Sequence, residues 1–246
     1  MLSSIDRPRV SLVATGAGIA IRYGFYLFGI VAFAAVASAV IGLYGWLPQS
    51  LAREPAFQLA PADVASLSRQ GEVVEMAGTR FETWHYGQIY DRGRDLTITM
   101  VMPPKGSPVT RHFGREFLDN ATLRHARPVL SSTYYDLETR FGPVRAVQMR
   151  VNADGRQKLC LAFISRFETT SLYLRGWTCE GNGSQPSAGA LACTIDHMAA
   201  PAALATPEAE DFFRQRAAKR GGTCGAAPVT QTTDTRPPRR PRPHRW

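Results

Sequence analysis

The side chains of this 246-residue chain best suited to chemistry are four cysteines, five histidines and scattered carboxylates. Cys160, Cys179, Cys193 and Cys224 follow one another at spacings of 19, 14 and 31 residues. A tetrahedral metal site built from four thiolates normally uses two close Cys-x2-4-Cys pairs, so this spacing points away from zinc. An even number of cysteines, all in the C-terminal half, instead predicts two disulfides formed in an oxidising compartment.

The histidines do not cluster. His112 and Glu116 stand four residues apart, on one face if the segment is helical, but no third ligand accompanies them. His85, between Trp84 and Tyr86, reads as a packed strand residue, and His197 lies on the same prospective helix as Cys193. No G-x-S-x-G elbow or S-x-x-K pair is present, and Gly181-Asn182-Gly183-Ser184 lacks the Lys and the following helix of a phosphate loop. It reads as a loop. Asn120-Ala121-Thr122 and Asn182-Gly183-Ser184 match glycosylation triplets that decide nothing by themselves. Catalytic residues are therefore unknown at this level, and neither a cofactor nor a metal is expected. An enzyme would have to assemble Glu116, His112 or Glu138 from separate parts of the fold.

The elements that carry these residues begin with an apolar block. Tyr23 to Ser50 contains no charge, and residues 23–47 supply 25 mostly apolar positions. About 20 are needed to cross a bilayer as a helix. Tyr23 and Tyr26 at one end and Tyr44 and Trp46 at the other place rings at both interfaces, and Pro48 stops the run. The expectation is a single transmembrane helix, residues 23–47. Residues 1–22, with Arg7, Arg9 and Arg22 against Asp6, stay in the cytoplasm under the positive-inside rule. Ala37-Ser38-Ala39 has the form of a signal-peptidase site, but the apolar run continues past it through Trp46, which favours an uncleaved signal anchor. Ala34, Ser38 and Gly42 recur every four residues and offer a small-residue stripe to a second helix.

Residues 48–70 form a juxtamembrane linker, and 71–224 are expected to be an exported α+β domain with one antiparallel sheet of about five strands and helices on one face. Leu96, Ile98 and Met100 alternate with Thr97, Thr99 and Val101 before Pro103-Pro104. Tyr135 to Phe141, a break at Gly142-Pro143, Val144 to Val151 and a turn at residues 152–155 continue the pattern. Gln157 to Phe167 and Ser171 to Thr178 make a hairpin around Thr169-Thr170. A two-residue turn there makes opposed positions sum to 339, which sets Cys160 against Cys179 and leaves Cys193 for Cys224. Helices are expected at Thr206 to Arg220, with a Thr206 cap, Pro207 and an acidic first turn, and at Ala188 to Met198. Shorter ones are expected at Pro61 to Ser68 and within Val109 to Leu123.

Residues 225–246 hold Arg236, Arg239, Arg240, Arg242 and Arg245 among four prolines and read as a disordered Arg/Pro-rich tail. Of the net +9, the tail carries +4 and residues 1–22 carry +2, so the remainder is close to neutral. That balance, in a domain beyond a membrane, argues against nucleic acid. Only Lys105, Lys158 and Lys219 are lysines among the 29 basic residues, a bias that fits a GC-rich bacterial genome. In layout the chain resembles bacterial envelope proteins with one N-terminal span and a disulfide-bearing domain, a likeness that transfers no active site. The expectation is a protein of the bacterial inner membrane with a periplasmic C-terminal domain. Its role is non-enzymatic binding or assembly, with a protein partner at the helix or domain and an anionic lipid or polymer at the tail. The alternative is an envelope hydrolase or transferase acting on a cell-wall or lipid substrate.

Overall fold

The computed structural model describes residues 11–44, 49–51, 54–59, 64–107, 112–153, 155–218 and 229–233. The chain divides into two compact units, residues 1–47 and 48–246. The first unit contains α1 (Ser11–Tyr44), 34 residues long, or about 51 Å at 1.5 Å per residue. It starts at Ser11 and not at Tyr23, so Arg22 is inside the helix. Its described side chains include Phe25, Phe28 and Phe33, all about three-quarters exposed. Ala34, Ser38 and Gly42 are exposed too, and the Ser38 hydroxyl donates to the Ala34 carbonyl at 2.8 Å. Such a bond satisfies a polar side chain within its own helix. Among the described residues no helix is long and apolar enough to cross a membrane.

The second unit is α+β, with a larger sheet than the sequence suggests. In chain order it contains β1 (Gln49–Leu51), β2 (Gln58–Leu59), β3 (Arg69–Met76), β4 (Thr79–Tyr86) and β5 (Asp95–Met102). A π-helical turn, Gly114–Leu118, and α2 (Ala121–Arg124) follow. Next come β6 (Val129–Thr139), β7 (Gly142–Ala153), β8 (Arg156–Ser165), β9 (Tyr173–Cys179), α3 (Ala188–Asp196), β10 (Met198–Ala199), α4 (Pro207–Ala217) and β11 (Val229–Thr233). Among the described residues nine strands form one antiparallel sheet in the order β1-β3-β4-β5-β9-β8-β7-β6-β11, and β2 pairs with β10 separately.

The expectation of five strands is corrected, and the missed strands show why. β3 is polar and mostly exposed, so it lacks a hydrophobic period. On β4 the Trp84 and Tyr86 side is fully buried and the Phe81 and His85 side half-buried, so polarity does not alternate along the strand. Their two-residue turn, Ala77-Gly78, has positive φ at both positions. That is the geometry of a type I′ turn, which Asn-Gly usually announces and Ala-Gly does not. The β6–β7 turn falls at Arg140-Phe141, ahead of the expected Gly142-Pro143 break.

Helices cover both sides of the sheet, which corrects the one-sided arrangement. On one side Leu96, Ile98, Leu161 and Phe163 pack with Leu191 and Ile195 of α3 and Phe213 of α4. Gly176 on β9 makes this possible, because a Cβ there would lie 2.8 Å from the Phe163 ring. On the other side Val147, Met149, Ala162 and Trp177 pack with Phe117, Leu123 and Ala126. Each large side chain fully buried in this way contributes about 1.5–3 kcal/mol.

The cap expected at Thr206 is present, and α3 has one beyond those expected. The Thr206 hydroxyl accepts from the Ala209 amide at 3.3 Å with Pro207 in the first turn, and the Ser187 hydroxyl caps α3. α3 ends at Asp196, and Met198 has already joined β10. Described residues 64–67 form a turn and no helix, while 61–63 lie outside the description. Residues 219–228 and 234–246 also lie outside it, but Val229–Thr233 do not fit the expected disorder. They pair with Thr133–Leu137 of β6, favoured by the β-branched run Val-Thr-Gln-Thr-Thr.

Candidate functional site

Antiparallel register lines up side chains across strands, and here it builds one polar row on the side that faces the π-helical turn. Glu72 of β3 stands opposite Thr83 of β4, Thr83 opposite Thr99 of β5, and Thr99 opposite Arg175 of β9. The next row on the same side runs Gln70, His85, Thr97 and Trp177, and the row on the other flank runs Val74, Phe81, Val101 and Tyr173. Directly opposed side chains lie about 4.5–5.5 Å apart at Cβ, so they bond to each other. The hydroxyls of Thr83 and Thr99 are 3.0 Å apart, and His85 Nδ1 is 2.9 Å from the Thr97 hydroxyl.

A roof lies over part of this floor. The π-helical turn brings Glu116 down onto the sheet, where Oε1 accepts from the Tyr173 hydroxyl at 3.2 Å and Oε2 accepts from the Arg175 guanidinium. Arg175 also lies over the Phe81 ring at 5.3 Å. Phe113 stacks on Phe117 with centroids 5.8 Å apart, and Asn120 caps α2 by accepting from the Thr122 and Leu123 amides. Tyr90, in the β4–β5 connection, donates to the Thr122 carbonyl at 2.5 Å. Between roof and floor is a cleft of about 220 Å³. On the β3 side it is lined by Val74, Met76 and Glu72, of which Glu72 and Met76 are exposed to solvent.

Burial in the cleft lowers the pKa of His85, and the nearby negative charge of Glu72 partly offsets the shift. The shift favours the neutral imidazole, which can donate at one nitrogen and accept at the other. Farther along the same face, Trp177 donates from Nε1 to Asp95 Oδ2 at 3.1 Å, and Lys158 Nζ lies 2.5 Å from Asp95 Oδ1.

The residues singled out in the sequence end up in different places. Glu116 enters the cleft, but His112 lines a separate groove with Phe113, Tyr134 and Arg145, and Glu138 is exposed on β6 opposite Pro143. The i, i+4 relation of His112 and Glu116 survives as a backbone bond from the Glu116 amide to the His112 carbonyl at 3.0 Å. His197 ends α3, with Nδ1 2.8 Å from the Cys193 carbonyl. Residues 181–183 form a short 3-10 turn that Ser184 closes, the loop expected there. Among the described residues no group of three His, Cys, Asp or Glu side chains could hold a metal ion.

Cys160 and Cys179 are directly opposed and bonded, with Cα atoms 4.1 Å apart. The register centres on Thr169-Thr170 as expected, but the strands separate early, leaving a seven-residue link, 166–172, in place of a two-residue turn. Cys193 is also in a disulfide. Its expected partner, Cys224, lies outside the described residues.

Arg175, Thr83, Thr97 and Thr99 were not legible as site residues. Thr97 and Thr99 follow the alternation of β5, Thr83 lies on β4, which has none, and only the register between residues 16 and 76 positions apart joins them to Arg175. Comparisons with known proteins bring no further assignment: no protein-family model, curated protein or solved structure matches the chain.

Proposed function

We propose that the chain is a membrane-anchored envelope protein whose exported domain is a binding module, with the cleft under the π-helical turn as its recognition site. The observation that carries this reading is the prior fixation of the cleft's polar groups. Thr83 with Thr99, His85 with Thr97, and Glu116 with Tyr173 and Arg175 are already paired. Both Glu116 carboxylate oxygens are engaged, so the residue acts as a strut between roof and sheet. Side chains held in this way need little ordering when a ligand arrives, which favours affinity for a small surface. The hydrolase or transferase alternative draws on Glu116, His112 and Glu138, of which the cleft holds Glu116 alone.

Anchoring is supported by α1, whose phenylalanines at 25, 28 and 33 are exposed together with Leu27, Ile30, Val31, Val36 and Val40. A helix apolar around its whole circumference belongs in a core or a bilayer. The bacterial inner membrane, with residues before α1 in the cytoplasm and the sheet domain in the periplasm, fits the basic N-terminal flank and the disulfide. Ala34, Ser38 and Gly42 offer a surface for a partner helix, and the Arg-rich tail offers one for anionic lipid or polymer.

Alkaline phosphatase fused after residue 60 is expected to be active, and the native protein to resist carbonate extraction at full mass. A mature N-terminus near residue 40 would rule out the anchor. For the cleft, the full chain in lipid nanodiscs is to be melted with glycan, lipid and peptide fractions of the envelope. At least one fraction should raise the melting temperature of wild type and leave Thr99→Phe, which fills the cleft, unmoved. Equal response of both proteins to every fraction refutes the site.

A further inference from the structure

We infer that the ligand of this cleft is a neutral saccharide unit, seated with its apolar face on the aromatic side chains and its hydroxyls on the threonine and histidine row; the inference rests on the binding reading above. The first argument is hydrogen-bond character. A Thr hydroxyl has one donor and two acceptor sites, so the Thr83–Thr99 pair keeps one hydrogen and spare lone pairs after bonding at 3.0 Å. The His85–Thr97 pair likewise uses one hydrogen and keeps a donor or an acceptor at the far ring nitrogen. A floor that mixes donors and acceptors at the spacing of adjacent strands suits a ligand whose groups are themselves both, and ring hydroxyls have that property. Amides or carboxylates would match only part of it.

The second argument is charge. Among the described residues the one Lys or Arg lining the cleft, Arg175, already binds Glu116, while Glu72 on the β3 side brings a carboxylate that bonds well to hydroxyls and repels anions. Anionic ligands are disfavoured on that account. The third is shape and surface. Phe81, half-buried with Arg175 5.3 Å over its ring, and the 4% of Trp177 that is exposed give the cleft an apolar lining beside the polar row, against which the C–H face of a sugar can rest. The volume, about 220 Å³, is below the roughly 300–1,000 Å³ of sites that enclose drug-sized molecules. It therefore takes one small unit, and the exposed Glu72 and Met76 at its β3 side leave a longer chain room to run out into solvent.

The test uses the full chain in nanodiscs of zwitterionic lipid, because alkyl-glycoside detergents carry the ligand chemistry in question. Saturation-transfer NMR and calorimetric titration are run with N-acetylglucosamine disaccharide, cellobiose and maltose, a uronic-acid disaccharide, and octanoate as an apolar anion. The expected result is saturable binding of at least one neutral disaccharide with a Kd of about 1 mM or tighter. Binding should weaken about tenfold in Thr99→Val and in Thr83→Val, each of which removes one hydroxyl at nearly constant shape. Lys105→Ala, remote and exposed, should bind as wild type, and melting curves verify that each variant is folded. Binding that is unchanged in both valine variants, or that favours the uronic acid or octanoate, overturns the saccharide assignment. If no saccharide binds while an envelope fraction still stabilises wild type and not Thr99→Phe, the assignment fails and the binding reading stands. If neither occurs, both fail.

Discussion

Lys158 and Asp95 form an ion pair inside the protein, with Nζ 2.5 Å from Oδ1 and side chains only 6% and 2% exposed. Lys158 also donates to the Asp91 carbonyl at 3.0 Å, so one ammonium ties β8 to both β5 and the connection that precedes it. Burial pushes the Asp95 carboxyl above its ordinary value, while the hydrogen bond and charge of Lys158, with Trp177, pull it back. A carboxyl raised in the folded state contributes stability that is present below its unfolded value near 3.8 and is lost as pH rises through the raised value. Lys158→Met removes the counterweight and enlarges that loss. The variant should lose about 3–5 kcal/mol at pH 7.5 and recover part of it at pH 4.5. Thermal melts at the two pH values check this, and an equal deficit at both would refute the charged-pair account. Adding Asp95→Asn should restore stability at pH 7.5.

The Cys160–Cys179 bond closes a loop with a sequence separation of 19 residues. A loop of that length constrains the unfolded chain by about 3 kcal/mol. Cys160→Ala with Cys179→Ala should lower stability by about that amount, read by denaturant titration, and should make the remaining melt insensitive to mild reductant at this site. Non-reducing peptide mapping of wild type should link these two cysteines and leave no free thiol.

Asp136 and Arg145 face each other across β6 and β7 and bond through two atoms, Nε at 2.6 Å and Nη2 at 2.8 Å. Hydrogen bonding from Arg145 holds the Asp136 carboxyl below its ordinary value. A lowered carboxyl contributes stability that is present above its unfolded value and is lost as pH falls through the folded one. Both side chains are about a third exposed, so the contribution is below about 1 kcal/mol. Asp136→Asn should match wild type below about pH 3 and trail it slightly at neutral pH. A larger deficit at acid than at neutral pH would contradict the sign.

Local signals recovered what is local. Thr206 with Pro207 announced α4, and the hydrophobic run at Asp95 announced β5, because a cap or a period is written in consecutive residues. The pairing of Cys160 with Cys179 was legible because a hairpin converts spacing into register, and it survived an error in turn length since only the centre of symmetry matters. The cleft was not legible for the opposite reason. Glu72, Thr83, Thr99 and Arg175 meet through three strand pairings, two of them between segments linked by turns with weak or no sequence signature. Glu116 stands out in the sequence beside His112, but nothing in the chain joins it to Tyr173 and Arg175 until the π-helical turn lays it on the sheet.

The C-terminal strand gives the last prediction. β11 pairs with five residues of β6, yet all five of its own residues are exposed, so it is held mainly by backbone bonds and covers an edge that is otherwise open. An uncovered edge strand offers its amides and carbonyls to another chain. Deleting residues 228–246 should therefore speed amide exchange at Thr133–Leu137 and cause concentration-dependent association of the protein in nanodiscs. Deleting 235–246 should leave the strand paired and the edge protected while removing all five tail arginines. This second truncation isolates the electrostatic role, since each basic residue near an anionic surface is worth about 1 kcal/mol before screening. Nanodiscs carrying the full chain should co-sediment with anionic and not with neutral vesicles, and should release them between about 50 and about 500 mM salt, as the Debye length shrinks. The shorter chain should not co-sediment at either salt concentration. Unchanged exchange at Thr133–Leu137 after deletion of 228–246 would show that β11 does not guard the edge, and equal sedimentation of both forms would remove the tail as a lipid tether.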